Sequence, residues 1–236
     1  MYKGSIYENI NAAIGRAKSA AARSGRNFSD ITVLAASKTR NTREIIEALD
    51  GGITVFGENY IQEFLPKYEA LIGFTGKRLS WHIIGHVQKN KVKYIIGKTD
   101  LIHSVDSLKL ATRLNDRSAS ENIATNILME VNVADEKTKN GVKIDGVYDL
   151  VRDLNRLDNL SLKGFMTMPP LGKGGRKCFK MLREILEDVN AKGMYREKLS
   201  TLSMGTSGDF EDAIEEGATI IRLGTVIFGE RPLKNI

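Results

Sequence analysis

The sequence predicts a (β/α)8 TIM-type barrel with an extra N-terminal helix, spanning residues 1–236 as one domain with the helix in residues 1–25. Three observations carry this expectation. A length of 236 residues suits one large α/β domain. Eight short apolar or β-branched runs alternate with helical patterns, the signature of a parallel sheet. In the later runs, polar residues share one strand parity, as they do where alternate side chains face a barrel interior.

The elements follow in order. A helical pattern from about Ile6 to Ser24 precedes the first strand, Ile31–Ser37. Thr42 is placed to cap a helix carrying Ile45, Ile46 and Leu49, which stops at Gly51-Gly52. Strands follow at Ile53–Phe56, Leu79–Ile84, Leu101–Val105, Asn126–Val133, Leu162–Met168, Leu199–Met204 and Thr219–Leu223, each separated from the next by a helical pattern. Ser207 or Asp209 can cap the helix that places Phe210, Ala213 and Ile214 on one face and ends at Gly217. The basic run Lys89–Lys98 has helical spacing and is expected to be a solvated face. Only four prolines occur, and Pro169-Pro170 lies just past a strand end.

Composition narrows the function classes. Hydrophobic residues make up 42% and charged residues 27%, enough for a sizeable core. The single cysteine, Cys178, excludes an internal disulfide and fits packing on a helix. No apolar run has membrane-spanning length and the N-terminus lacks a signal-type apolar segment, so a cytoplasmic protein without membrane contact is expected. The net charge of +6 arises from interspersed acids and bases, which suits an anionic small ligand better than nucleic acid.

Parity points to the interior. Ile127, Met129, Val131 and Val133 share one parity and should face the helices, which turns Glu130 and Asn132 inward. In the last strand, Ile221 and Leu223 face out and Arg222 faces in. Lys38 shares a parity with Thr32, Leu34 and Ala36, but both parities of that strand are apolar and cannot decide its direction. Buried charge requires partners. Two readings stand equally here: an anionic ligand held by Arg222 and Lys38, or a Glu130–Arg222 interior ion pair with Lys38 exposed at the rim.

Two glycine-hydroxyl loops favour the ligand. Ser203-Met204-Gly205-Thr206-Ser207-Gly208-Asp209 leaves the seventh strand and Arg222-Leu223-Gly224-Thr225 ends the eighth. Loops after the last two strands are the common phosphate site of a barrel. Ser207 and Thr225 supply hydroxyl donors, while Gly208 and Gly224 permit close approach. A lysine at a strand end is the residue for Schiff-base chemistry with a carbonyl ligand. His82 and His86 are four apart, a metal-site spacing on a helix, but they flank a strand-to-turn segment, so no metal is expected. His82 is expected to line the site through hydrogen bonds.

Several stretches resemble the pyridoxal-phosphate homeostasis protein family: Ala35-Ala36-Ser37-Lys38-Thr39, Phe56-Gly57-Glu58-Asn59-Tyr60, Trp81-His82-Ile83-Ile84-Gly85-His86-Val87-Gln88-Lys89-Asn90-Lys91, Gly164-Phe165-Met166-Thr167-Met168, Leu202-Ser203-Met204-Gly205-Thr206-Ser207-Gly208-Asp209-Phe210 and Arg222-Leu223-Gly224-Thr225-Val226-Ile227-Phe228-Gly229. Departures are small, with Thr206 where that family usually has Met and Phe165 where Leu is common. The resemblance implies the fold-type III barrel of alanine racemase without its second domain, and pyridoxal 5′-phosphate as cofactor. It makes Lys38 the Schiff-base lysine and Ser207, Gly208, Gly224 and Thr225 the phosphate cradle. It also sets Arg222 at the pyridine nitrogen, with Asn59 and His82 beside the cofactor.

The implied role is intracellular homeostasis of this vitamin B6 cofactor with little or no catalysis. Cofactor-dependent apo-enzymes are then the recipients, and a monomer is expected. A two-base racemase takes its second base from another domain, and this sequence ends eleven residues after Thr225. The alternative is a pyridoxal-phosphate-dependent racemase or lyase that finds its second base at Tyr60, His82 or another rim residue.

Overall fold

Parallel strands close on themselves around a filled interior. The computed structural model describes residues 5–73, 79–136, 139–170 and 175–230. Its elements are α1 (Ile6–Arg23), β1 (Thr32–Ala36), α2 (Thr42–Asp50), β2 (Val55–Glu58), α3 (Ile61–Leu71), β3 (Ser80–Ile83), β4 (Leu101–Val105), α4 (Leu108–Ser120), β5 (Thr125–Asn132), β6 (Val142–Lys143), α5 (Ile144–Leu154), β7 (Leu160–Met166), α6 (Gly175–Ala191), β8 (Thr201–Ser203), α7 (Phe210–Glu215), β9 (Ile220–Leu223) and α8 (Thr225–Phe228). The strands run in the order β4-β3-β2-β1-β9-β8-β7-β5, and pairing of β4 with β5 closes the barrel. Every pairing is parallel, for instance Leu34 against Val55 on one side and Arg222 on the other. This is the eight-stranded TIM-type barrel that the alternation predicts.

Strand parity divides the apolar residues into two clusters. Ala35, Phe56, Ile83, Ile102, Ile127, Met129, Val131, Phe165, Ile221 and Leu223 join the layer between barrel and helices. Leu34, Leu101, Leu128, Met166 and Ile220 form a separate cluster inside the barrel. Arg222 and Glu130 lie on the inward parity and are nearly buried, as the alternation predicts.

Four local features depart from the sequence reading. Asn41, not Thr42, caps α2: its side chain accepts from the Glu44 amide while Glu44 reaches back to the Asn41 amide. A short amide-carbonyl side chain one residue earlier satisfies the same orphan donors. Asp209 occupies the cap position of α7 but bonds backward, accepting from the amide and hydroxyl of Thr206. The connection from β3 to β4 is a 3-10 helix, Lys89–Tyr94, whose Val92 is buried with Ile95 and Ile96 behind it, so only part of this basic run is a solvated face. The two-residue β6, paired with Val131 and Asn132, was too short for any periodicity to signal.

Helix α1 seals the seam between the first and last barrel units. A capping box between Ser5 and Glu8 starts it, and Ile10, Ala13, Ala17, Ala20 and Ala21 form a buried stripe at helical spacing. Asn9 donates to the Ile227 carbonyl at 3.0 Å. Arg26 donates to the Ile214 and Ala218 carbonyls, both at 2.8 Å. The ion pairs Arg16–Glu211 and Arg23–Glu215 are surface contacts of small energetic weight. Among the described residues no helix is long and apolar enough to cross a membrane.

Leu128 is fully buried in the small interior cluster. Leu128→Ala should cost about 3 kcal/mol, the transfer of its methyl groups plus an unfilled cavity. Urea unfolding checks this, and a loss below about 1 kcal/mol would mean that the barrel floor is not close-packed.

Candidate functional site

A cavity of about 460 Å³ opens at the C-terminal ends of the strands, where barrels of this kind carry their chemistry. Lys38, Asn59, Ser207, Arg222, Gly224 and Thr225 all line it. Two residues singled out from the sequence do not. His82 is buried in β3, hydrogen-bonded to other interior side chains, and Gly208 is exposed in the loop before α7.

Lys38 follows β1, and the backbone on either side of it is pinned. The Ser37 amide donates to the Gly57 carbonyl at 2.9 Å, and the Ser37 hydroxyl donates to Glu58 Oε1 at 2.7 Å. Lys67 of α3 donates to both the Ser37 carbonyl, at 2.9 Å, and Glu58 Oε1, at 2.7 Å. On the other side, Thr39 takes φ 65°, a left-handed conformation that costs energy for a β-branched residue. The strained turn is held because the Thr39 amide donates to Glu63 at 2.7 Å, and Glu63 lies 3.8 Å from Lys67. Burial pushes the Glu58 carboxyl up, while Lys67 and Ser37 pull it down. From the sequence, no role is assigned to Glu58 or Lys67. Lys67 left a readable trace, a charge on the buried stripe Phe64, Lys67, Leu71.

Arg222 projects from β9 into the interior and is only 4% exposed. Nη1 donates to the Ser203 carbonyl at 2.8 Å and to its hydroxyl at 2.6 Å. Nη2 donates to the Thr167 carbonyl at 2.8 Å and to the Met168 sulfur at 2.9 Å. Guanidinium has five N–H donors. These contacts employ four, and Nε–H has no partner among the described residues. Burial lowers the Arg222 pKa to about 10, against the opposing pull of Glu130 and Asp209. At neutral pH it therefore remains a cation that can only donate.

The Glu130–Arg222 ion pair that parity left open is not formed: no contact within 4 Å joins the two among the described residues. Glu130 instead lines the cavity, and burial pushes its carboxyl up to about 7, helped by Asp106 and opposed by Arg222.

The last two loops meet at Ser207. Its hydroxyl accepts from the amides of Gly224 and Val226, both at 3.2 Å, which leaves its own proton for a ligand. Gly205 turns the first loop at φ 89°, and a Cβ there would come within 2.5 Å of Ala213 Cβ. Gly85 closes the opposite wall, where a Cβ would lie 2.4 Å from the Asn59 carbonyl oxygen. Arg40 donates to the Gly229 and Glu230 carbonyls, tying the cavity wall to the segment beyond α8. No group of three or more His, Cys, Asp or Glu side chains that could hold a metal occurs among the described residues.

Two perturbations test this geometry. Lys67→Met removes the cation beside a Glu58 that has no exposure, and should cost about 3 kcal/mol, most of it regained when Glu58→Gln is added. Equal losses in the single and double variants, by urea unfolding, would show that the pair is not coupled. For Glu130 the folded pKa of about 7 lies above the ordinary 4.5. The folded state therefore keeps a proton that the unfolded chain has lost between those pH values, and stability falls across that window. Glu130→Gln should match wild type near pH 4.5 and exceed it by about 3 kcal/mol at pH 8. A difference that does not change with pH would contradict the assignment.

Residues 22–232 match the family described as alanine racemase, N-terminal domain. The chain is 43% identical over 227 residues to the pyridoxal phosphate homeostasis protein of Aquifex aeolicus, covering 95% of this chain and 97% of that one. It is similar to PipY of Synechococcus elongatus, solved with PLP bound, at 30% identity and a TM-score of 0.79, covering 91% of this chain and 100% of that one. Alanine racemase of Clostridium difficile shares the fold at 15% identity and a TM-score of 0.72, with 97% of this chain matched to 58% of that one. Sequence likeness over nearly its whole length thus joins the barrel geometry, and the chain belongs to the pyridoxal phosphate homeostasis protein family.

Proposed function

We propose that this chain binds pyridoxal 5′-phosphate in the cavity at the C-terminal end of the barrel and serves its intracellular homeostasis, with little or no catalysis. One observation carries the reading. Lys38, Arg222 and the Ser207–Gly224–Thr225 junction line one cavity of about 460 Å³, within the range usual for small-ligand sites. The donor set fits the cofactor. Lys38 brings an amine for the aldehyde, the Ser207 and Thr225 loops bring hydroxyl and amide donors for the phosphate, and Arg222 brings a guanidinium N–H for the ring nitrogen. Lys38 would hold the aldehyde carbon as a Schiff base, Ser207, Gly224 and Thr225 would surround the phosphate with Gly208 in the loop that carries Ser207, and Asn59 would border the ring. His82 acts from beneath the cavity wall.

When bound, the cofactor supplies an electron sink for carbanions, and the protein sets how strong that sink is. Arg222 can only donate, so the nitrogen it meets must accept, and acceptance requires an unprotonated ring. That keeps the sink weak. The racemase or lyase alternative needs a second proton-transfer group. His82, hydrogen-bonded on both ring nitrogens and absent from the cavity lining, is poorly placed for it. Tyr60, 58% exposed in the cleft beside the cavity, is the better-placed residue for that alternative. The reading extends to a cytoplasmic monomer, delivering cofactor to apo-enzymes without nucleic-acid or membrane partners.

The test is spectroscopic. Wild type incubated with pyridoxal phosphate should turn yellow, and borohydride should fix one cofactor mass on Lys38, while Lys38→Ala should bind without covalent capture. A colourless, unmodified wild type would reject the site. Sustained turnover of any amino acid, lost in Lys38→Ala, would reject the non-catalytic role.

A further inference from the structure

Asp100, Ser80, His82, His103, Ser203 and Arg222 are linked in an unbroken series across the barrel interior. Ser80 Oγ lies 3.0 Å from Asp100 Oδ2 and 3.3 Å from His82 Nε2. His82 Nδ1 lies 2.9 Å from His103 Nε2, and His103 Nδ1 lies 2.9 Å from Ser203 Oγ. Arg222 Nη1 completes the series, 2.6 Å from the same hydroxyl. Asp100 stands at the entrance to β4, near the floor of the barrel, and Arg222 lines the cavity at the other end. We propose that this series is a one-way hydrogen-bond chain, in which His82, His103 and Ser203 act as positioning residues that hold Arg222 with its last N–H free for the ligand.

The direction follows from chemistry. A carboxylate only accepts, so Ser80 must give its proton to Asp100. Ser80 Oγ can then only accept from His82, which fixes the proton of His82 on Nε2. Both imidazoles are neutral: burial lowers His82 to about 4, and burial, His82 and Arg222 hold His103 well below the ordinary range. A neutral ring has one donor and one acceptor. His82 Nδ1 therefore accepts from His103 Nε2–H, and His103 Nδ1 accepts from the Ser203 hydroxyl. Ser203 Oγ is left as an acceptor, which is what Arg222, a donor at every nitrogen, requires. The chain begins at a group that only accepts and ends at one that only donates, so no alternative arrangement of protons satisfies every member.

The consequence concerns Arg222. Were the Ser203 proton free to rotate toward the guanidinium, one of its four protein contacts would become repulsive. Commitment of that proton to His103 removes the possibility. The inference rests on the reading that Arg222 meets the cofactor ring, but the tautomers do not, and this separates the tests.

In ¹⁵N-histidine-labelled protein without added cofactor, long-range ¹H–¹⁵N spectra should show His82 and His103 as neutral Nε2–H tautomers, unchanged from pH 5.5 to 8. An Nδ1–H or charged form of either would overturn the chain, whether or not the cofactor binds. Ser203→Ala deletes one oxygen and spares the Arg222 bond to the Ser203 carbonyl. It should disturb the His103 Nδ1 signal and weaken pyridoxal phosphate binding about ten-fold, the scale of one hydrogen bond to a charged group. It should also move the ¹⁵N signal of the labelled cofactor ring. His103→Leu should do the same, whereas His103→Gln, which can accept from Ser203 and donate to His82, should bind nearly as wild type. Wild-type affinity and ring signal in both Ser203→Ala and His103→Leu would reduce the chain to packing. Absence of cofactor binding in wild type would reject the proposed function and with it the role of Arg222, while the histidine spectra would still judge the chain.

Discussion

The site depends on the burial of a guanidinium among the strands of a parallel barrel. A charge so placed is costly unless its donors are met, and the cost of leaving one unmet rises as the surroundings become less polar. The backbone cannot meet them alone, because carbonyls in a parallel sheet are engaged along the ladder. Two carbonyls at the ends of β7 and β8, those of Thr167 and Ser203, are within reach of Arg222. A hydroxyl and a thioether supply the rest. The interior of β3, β4 and β8 is polar around this residue, while the interior cluster of Leu34, Leu101, Leu128, Met166 and Ile220 stays apolar. No carboxylate touches Arg222 within ion-pair distance among the described residues, so its charge is satisfied in hydrogen bonds but not neutralised by contact. An electron-rich atom with a lone pair is the natural complement to its remaining donor.

The same logic explains the construction around Lys38. An amine that reaches a ligand gains from a fixed backbone, and the protein holds the residues on either side of Lys38. Glu58 and Lys67 form a buried pair whose hydrogen bonds converge on Ser37, and Glu63 holds Thr39 in a conformation it would otherwise leave. One oxygen of that pair, Glu58 Oε2, has no hydrogen-bond partner among the described residues. The pair is thus better read as a device that sets position than as a source of stability.

The barrel was legible because its signal is periodic. Strand parity set Glu130 and Arg222 inside from two strands alone, and the glycine-hydroxyl loops at the last two strands converge on Ser207 as barrel architecture predicts. What escaped is of another kind. Glu58 and Lys67 meet across a strand and a helix nine residues apart, and nothing in a one-dimensional pattern marks two charges as partners. His103 shares inward parity with Leu101 and could have been suspected on that ground, but its neighbours lie on β3 and β8, a hundred residues from Ser203. His82 was expected at the cavity and lies beneath it, because Ile84, the next residue of the same parity, takes the place at the rim. Periodicity reveals which face a residue takes; its partners depend on how strands stagger around the barrel.

Strain and burial in this molecule are also unevenly distributed. The outer layer between strands and helices is mainly apolar, and α1 extends it over the seam. Near the cavity lie a β-branched residue at positive φ, a carboxyl raised to about 7, two imidazoles kept neutral by burial and a carboxylate oxygen without a partner among the described residues. Such features carry a local cost, and they persist because the remainder of the fold sustains them. Such a site is preorganised before any ligand arrives. A ligand that met an already oriented Arg222 and an already fixed Lys38 backbone would lose little in ordering the protein. On the proposed reading, an Arg222 that keeps the ring nitrogen unprotonated adds a weak electron sink to that preorganised site.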